Sequence, residues 1–303
     1  MQSIRRIVVG VDLDGKQIGP TAQLAIDQAR AIAARTGAHV TLLHSHKDDE
    51  RWDPSAESFA PWRQEDPAHS RQALVDAADG LRAEGVDCEI ESSPDSPGHA
   101  IVQQALREDA DLVIVGKRAG PHHDGRRMGS VSLNVVRHCP CLVSVVRPGS
   151  RPLPATVVAA TDGGDVGATV VDAAAGLAAI CGADLHVIHA IQINLEVQME
   201  GDAAEHAYVA RRRDEIRSQT ERQAKDAGLR EKVTVHAGVT TPSRGVLEAV
   251  ERLQADLVVM GTVSRGGIPG LLVGNTAERL LGTLDCSLLV AKPADFVCPV
   301  TLD

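Results

Sequence analysis

The sequence predicts an α/β protein of two similar domains, each with a five-stranded parallel sheet flanked by helices. The first observation is a repeat, because shifting the chain by 145 positions aligns Asp111 with Asp256 and Gly116 with Gly261. The second is the alternation of short apolar runs with Ala-rich stretches in both halves. The third is composition, since 43% of the residues are hydrophobic but only two Phe, two Trp and one Tyr are present. Aliphatic strands with few aromatics suit a parallel sheet that is buried on both faces.

The first elements of each half follow one order. Both halves open with an apolar run that ends in an acid, which predicts a first strand with Asp12 or Asp162 at its carboxyl end. An Ala-rich helix follows, and a Gly-Ala turn then introduces a second strand. These predicted elements are Ile7–Asp12, Thr21–Arg35 and His39–His44 in the first half, and Thr156–Asp162, Gly167–Ile180 and Asp184–His189 in the second.

A long helix, a third strand and a shorter helix come next in each half. Pro97 and Pro242 mark the approach to the shorter helix. The predicted elements are His69–Ala83, Val86–Glu91 and Ala100–Glu108, and then Ala204–Ala227, Lys232–His236 and Gly245–Gln254. Each half closes with a strand, a glycine-bearing loop, a helix and a last strand, within residues 111–146 and 256–291. This alternation predicts right-handed crossovers between parallel strands.

The join between the halves is predicted in the Pro- and Gly-containing segment Arg147–Pro154. We therefore assign residues 1–149 to a first domain and residues 150–303 to a second. The last strands of the two domains, Leu142–Val146 and Leu288–Ala291, are expected to pair and cover two sheet edges. The chain would then be a built-in pseudo-dimer whose isolated halves associate, and pairing of whole chains into a homodimer stays open.

Bulk properties narrow the function classes. A formal net charge of -10 argues against nucleic acid as a partner. No apolar run approaches 18 residues, so we expect no membrane span, and the N-terminal apolar run is interpreted as a strand rather than a signal peptide. The six Cys form no C-x-x-C pair, which favours a reduced, cytoplasmic location. The His residues lack metal-ligand spacing, so no metal is predicted.

The carboxyl ends of the strands are where a ligand is expected in such a sheet. Asp12 and Asp162 end the first strands, and the glycine-bearing loops lead into helices that start near Ser130 and Asn275. Glycine lets backbone N–H groups approach phosphate oxygens, and a helix start favours an anion. A purely structural interpretation competes at each position, because Gly turns a loop and Ser or Asp caps one.

The two loops share one spacing. The first reads Gly116, two residues, Ala119, nine residues, and Gly129-Ser130. The second reads Gly261, two residues, Ser264, nine residues, and Gly274-Asn275. Both resemble the glycine motif of the universal stress protein family, whose nucleotide-binding members carry a third glycine where this chain has Ala119 and Ser264. The resemblance occurs once in each half and so covers nearly the whole chain. The segments GTVSRGGI and GNTAERLL resemble those of tandem E-type members.

The resemblance implies two Rossmann-like domains of the adenine nucleotide alpha hydrolase type, with an adenine-nucleotide pocket. Aspartates are implied at the ribose or base end, second-strand residues along the adenine, and the glycine turns at the phosphates. The residues carried over are Asp12, Val40, Gly116, Ala119, Gly129, Ser130, Val131, Asp162, Leu185, Gly261, Ser264, Gly274, Asn275 and Thr276.

The departures from the motif favour the first half as the nucleotide site. A side chain at Ala119 or Ser264 occupies space where backbone should approach phosphate, and Asn275 replaces a hydroxyl. The first loop compensates with the cations Lys117, Arg118, Arg126 and Arg127, whereas the second has only Arg265 nearby.

Three function classes remain at this point. The leading one is a non-catalytic, cytoplasmic stress-response protein that binds a small ligand, expected to be ATP in the first domain, and regulates protein partners. The second is an enzyme, restricted to slow ATP hydrolysis because no catalytic set can be named. The third is a carrier of another small, apolar ligand with degenerate nucleotide loops.

Overall fold

A computed structural model of the chain describes residues 4–14, 17–46, 67–117, 128–229, 232–262, 280 and 283–302. These residues form two compact units. One lies within residues 3–153 together with residues 297–303, and the other within residues 154–296. In the first unit, the C-terminal residue Cys298 donates a hydrogen bond from Sγ to the carbonyl oxygen of His138 over 3.1 Å. The last residues of the chain are therefore part of the unit that its first half builds.

The first unit contains seven strands and four helices among its described residues. They are β1 Arg6–Gly10, β2 Leu13–Asp14, β3 Gln17–Ile18, α1 Pro20–Thr36, β4 His39–Ser45, α2 Pro67–Ala83, β5 Cys88–Ser93, α3 Pro97–Arg107, β6 Leu112–Gly116, α4 Ser130–His138 and β7 Leu142–Val146. The described part of the second unit contains β8 Thr156–Thr161, α5 Asp165–Cys181, β9 Asp184–Ile191, α6 Leu195–Met199, α7 Asp202–Asp226, β10 Val233–Val239, α8 Pro242–Leu253, β11 Leu257–Gly261 and β12 Ser287–Ala291.

Each unit carries a five-stranded sheet, as the sequence predicted. The strand order is β7-β6-β1-β4-β5 in the first unit and β10-β9-β8-β11-β12 in the second. All neighbouring strands within these two sets are parallel. The predicted α/β fold of tandem parallel sheets is thus confirmed. The first strand of each unit lies in the middle, and the chain reverses its direction of travel across the sheet beside it.

The repeated aspartates Asp111 and Asp256 fix the start of these central strands. Oδ2 of Asp111 accepts hydrogen bonds from the backbone N–H groups of Arg5 and Arg6, at 2.7 and 3.0 Å. Oδ2 of Asp256 accepts from the N–H groups of the residues before and at the start of β8, at 2.8 and 3.0 Å. The carboxylates therefore satisfy strand-end donors, and their repetition is structural.

The shorter helices begin earlier than predicted. The structure starts α3 at Pro97 and α8 at Pro242, with Ser96 and Thr241 as the residues before the helix. Proline fits the first helical position because its missing N–H would have no intrahelical acceptor there. The hairpin β2–β3 and the short helix α6 were not predicted, since pieces of two and five residues carry no readable periodicity. No described helix is both long and apolar enough to cross a membrane.

Candidate functional site

The first unit forms a crevice where β1 and β6 end side by side. Gly10 and Gly116 are the last residues of these strands, and Gly10 pairs with Val115. From β1 the chain crosses to β4 on one side, whereas β6 lies on the other side. This is the switch point of an open parallel sheet, where ligands bind beyond the carboxyl ends.

The first turn of α1 connects Asp12 with Gly116. The backbone N–H of Gly19, the residue before α1, donates to the carbonyl oxygen of Asp12 over 3.1 Å. A Cβ added to Gly116 would lie 2.9 Å from Cβ of Thr21 and 3.2 Å from its carbonyl oxygen. Gly116 is therefore required for close packing of β6 against α1, and both lie at the end of the sheet that Asp12 follows.

The start of α4 lies against the same strand end. Oγ of Ser132 donates a hydrogen bond to the carbonyl oxygen of Gly116 over 2.9 Å, and Ser132 is buried. Gly129 precedes the helix without a side-chain cap, and Ser130 and Val131 form its first turn. The first intrahelical bond to Gly129 comes from Leu133, so the earlier N–H groups have no acceptor within the helix. The structure thus brings the start of α4, with Gly129, Ser130 and Val131, to the strand end at Gly116, and Asp12 follows the neighbouring strand β1.

His44 is a residue of this region that sequence reasoning did not assign. Its Nδ1 donates to the carbonyl oxygen of Val11 over 3.0 Å, next to Asp12. The side chain is 8% exposed, and among the described residues its Nε2 has no hydrogen-bond partner. With the proton on Nδ1, Nε2 is a buried acceptor. Its position as the penultimate residue of β4 was the signal that could have identified it.

Val40 and Leu185 require a correction. Val40 is the second residue of β4, is fully buried, and pairs with Ile7 and Cys88. Gly10, at the end of β1, pairs with Leu43, so three residues at about 3.3 Å each separate Val40 from the level of the crevice, about 10 Å along the strand. Leu185 has the matching place, paired with Val157 near the start of β9. Both belong to the core at the amino ends of their strands.

The predicted cations fall into two groups. Lys117 follows β6, is only 4% exposed, and its backbone N–H donates to Val146 over 2.7 Å. Its side chain is therefore buried and is not part of an open cationic loop. Arg118, Arg126, Arg127 and the motif residue Ala119 lie outside the described residues.

In the second unit, the carboxylate of Asp162 stabilises the loop between β8 and α5. Its Oδ1 accepts a hydrogen bond from the backbone N–H of Gly164 over 2.9 Å. A Cβ added to Gly167 would lie 2.5 Å from the same oxygen, so the carboxylate packs on the first turn of α5. Gly163 has a φ of +72°, a left-handed conformation that suits glycine. The loop after β8 is therefore closed by its own aspartate.

The remaining second-half candidates are only partly described. Gly261 ends β11, beside Ala291 of β12, and thus lies at the expected strand end. Ser264, Gly274, Asn275 and Thr276 lie outside the described residues. His189 donates from Nδ1 to the carbonyl oxygen of Thr161 over 3.0 Å, which repeats the contact of His44.

No group of three or more His, Cys, Asp or Glu side chains could hold a metal ion within the described ranges. The adjacent pair His122-His123 lies outside those ranges. The sulfur atoms of Cys139 and Cys141 lie 3.4 Å apart and form no disulfide bond. The hydrogen bond to Cys139 and burial raise the pKa of the Cys141 thiol, which disfavours the reactive thiolate.

Comparison with known proteins identifies one family, two related sequences and one solved structure of similar fold. The model of the universal stress protein family matches residues 3–147 and again residues 155–292. The chain is 44% identical over 80 residues to universal stress protein E of Escherichia coli K12, an alignment that covers 25% of each protein. It is 26% identical over 301 residues to a universal stress protein of Mycobacterium tuberculosis, covering 94% of this chain and 96% of that protein.

A solved structure from Pseudomonas aeruginosa PAO1, described as a functionally unknown protein, has a similar fold over the whole chain. It is 27% identical, with a TM-score of 0.72, and the match covers 97% of this chain and 94% of that chain. The similarity to universal stress protein E spans only about a quarter of that relative's length. The matches to the Mycobacterium tuberculosis protein and to the Pseudomonas aeruginosa structure extend over both repeats.

Proposed function

Because the chain belongs to the universal stress protein family and carries the family domain twice, we propose that it is a stress-response protein whose first half binds ATP. In this proposal the protein is not an enzyme with efficient turnover. It holds the nucleotide in the crevice of the first unit and regulates protein partners according to whether the nucleotide is bound.

The observation that carries the proposal is the position of Gly116 between α1 and α4. Thr21 packs against it from one side, and Oγ of Ser132 bonds to its carbonyl oxygen. This packing directs the uncapped start of α4 to the strand ends at the switch point. The N–H groups of Ser130 and Val131 are then donors for phosphate, and Asp12 is an acceptor for ribose hydroxyls.

The two halves are proposed to differ in affinity. In the second half, the carboxylate of Asp162 accepts from Gly164 and packs on Gly167, in the first turn of α5. The second motif also has Asn275 where the first has Ser130. We therefore assign the nucleotide to the first half.

The test is titration of the full chain with ATP by isothermal calorimetry, together with native mass spectrometry of the freshly purified protein. The Asp12→Asn variant is expected to weaken ATP binding about tenfold or more, because a carboxylate acceptor is lost. The matched Asp162→Asn variant is expected to bind ATP as the parent does. Absence of saturable binding, or equal loss in both variants, would reject the first-half site.

Two further readouts address the alternatives. A co-purified adenine nucleotide mass supports the proposal, whereas a lipid-like mass in its place would support an apolar-ligand carrier. Phosphate release from ATP should stay near the buffer rate. Turnover that falls by orders of magnitude in Asp12→Asn would instead establish an enzyme.

A further inference from the structure

The second unit contains a cavity of about 480 Å³ at the open edge of its sheet. Strand β10 is the last strand on that side, and β9 is its neighbour within the unit. The cavity is lined by both strands and by helices α7 and α8. Neither Asp162 nor Gly261 lines it, but His189 does, so the cavity lies beside the crevice discussed for the family motif and uses other residues. Its volume is in the range of small-molecule sites.

Three guanidinium groups line this cavity. Arg213 and Arg217 come from α7, and Arg252 comes from α8. Nε of Arg213 donates to the carbonyl oxygen of Ala237 over 2.9 Å. Nη2 of Arg252 donates to Nδ1 of His236 over 3.3 Å. These bonds leave the other guanidinium N–H groups available to a ligand.

None of these three arginines forms an ion pair with a carboxylate among the residues that the structure describes. Neighbouring arginines of the same helices are paired, since Arg212 contacts Glu215 and Arg244 contacts Glu248, both at 2.6 Å. Glu248 also lines the cavity, but Arg244 engages it. The cavity therefore concentrates unneutralised positive charge in a chain whose net charge is -10.

Neighbouring hydrogen bonds hold one wall in place. Because Nδ1 of His236 accepts from Arg252, its neutral ring carries the proton on Nε2. That Nε2 donates to Nδ1 of His186 on β9, over 3.2 Å. This hydrogen-bond network connects α8 with β10 and β9, and it restricts the motion of the Arg252 guanidinium group. A restricted guanidinium loses less entropy when it binds an oxyanion.

We propose that this cavity binds a small phosphate-bearing molecule through Arg213, Arg217 and Arg252. Guanidinium groups match phosphate oxygens with paired N–H bonds, and three of them suit a ligand with several negative charges. An acidic peptide added as a strand to β10 is disfavoured, because Arg213 already occupies the carbonyl oxygen of Ala237. The inference does not depend on the proposed ATP site, since it concerns the other half of the chain.

The experiment uses the full chain and inorganic pyrophosphate, titrated by calorimetry at low ionic strength. Arg217→Gln is the main variant, because Arg217 makes no described hydrogen bond whose loss would disturb the fold. Its pyrophosphate affinity is expected to fall about tenfold, and that of Arg252→Gln by a similar factor. Arg211→Gln is the matched control, since it removes a paired arginine of α7 that does not line the cavity, and it should leave the pyrophosphate affinity unchanged.

The outcomes are separable from those of the ATP test. Ser130→Ala alters the first-half crevice only, so it should leave the affinity that depends on Arg217 unchanged. Unchanged binding in both Arg217→Gln and Arg252→Gln would overturn the proposal, as would absence of saturable binding. Saturable binding of a glutamate-rich peptide without binding of pyrophosphate would overturn it in favour of strand addition at β10.

Discussion

The imidazole of His44 donates a hydrogen bond from Nδ1 to the carbonyl oxygen of Val11 over 3.0 Å, and this contact ties β4 to the end of β1. His189 makes the same contact to Thr161 in the second unit, also over 3.0 Å. The same hydrogen bond from a histidine to a backbone carbonyl oxygen is therefore present in both units. A buried donor thus fixes the backbone next to each crevice aspartate, Asp12 and Asp162.

Removal of this imidazole should destabilise the first unit. His44→Ala loses the bond to Val11, leaves a buried carbonyl without its donor, and creates a cavity. We expect the free energy of unfolding of this unit to fall by about 2–4 kcal/mol in urea denaturation. His206→Ala, at an exposed site on α7, serves as the control and should change stability by less than about 0.5 kcal/mol. Equal effects of the two variants would contradict the structural role.

Gly116→Ala should destabilise the first unit and weaken ATP binding. The added methyl group would lie 2.9 Å from Cβ and 3.2 Å from the carbonyl oxygen of Thr21, so the start of α1 must shift. Overpacking of this kind costs about 1–3 kcal/mol. The control is Gly80→Ala on α2, where nothing lies within 4 Å and helix propensity should raise stability by up to about 1 kcal/mol. Thermal unfolding measures both, and a neutral Gly116→Ala would show that the contact can relax.

Ser130 and Ser132 should separate binding from stability. Ser132→Ala removes a buried bond to Gly116 and is expected to lower the free energy of unfolding by about 1–2 kcal/mol. Ser130 is exposed at the first position of α4, so Ser130→Ala should leave the urea midpoint unchanged. Its effect should appear in calorimetry, as a loss of ATP affinity of about threefold to tenfold. A stability loss without a binding loss in Ser130→Ala would refute its assignment to the phosphate turn.

The His186–His236 pair should make the second unit less stable in acid. Burial lowers the pKa of both imidazoles from 6.5, and Arg252 lowers both further, whereas Asp184 opposes the shift at His186. Because the folded state binds the protons less readily, the stabilising contribution is complete above about pH 6.5 and declines as pH falls through the lowered values. Urea midpoints at pH 8 and pH 5.5 measure the decline. The double variant His186→Gln, His236→Gln should show a smaller difference between the two pH values, and an unchanged difference would exclude the pair as the cause.

Much of the fold could be predicted because strand ends are visible in short stretches of sequence and the repeat shows each of them twice. Asp111 and Asp256 marked equivalent strands, and the structure places both at the starts of β6 and β11. The motif also predicted Gly116 at the end of a strand and Ser130 at the start of a helix, and both lie there. Val40 was assigned wrongly because an apolar run identifies a strand but does not show which of its residues reaches the carboxyl end.

The cavity of the second unit could not be predicted from sequence alone. Arg213 and Arg252 are 39 positions apart and read as ordinary solvated cations of two amphipathic helices. Only tertiary packing brings them to one strand edge and decides which of the described arginines have a carboxylate partner. The face of a helix on which a residue lies can be predicted from nearby sequence, whereas the ion-pair partner of a charged side chain depends on tertiary structure.

The position of Cys298 beside His138 changes how the two halves should be separated. A gene truncated after the first repeat would encode a unit that lacks residues 297–302, part of the same compact body. Fragment complementation should therefore supply those residues in trans as a synthetic peptide, or fuse them behind residue 153. Studies of a solitary amino-terminal half would otherwise measure an incomplete domain.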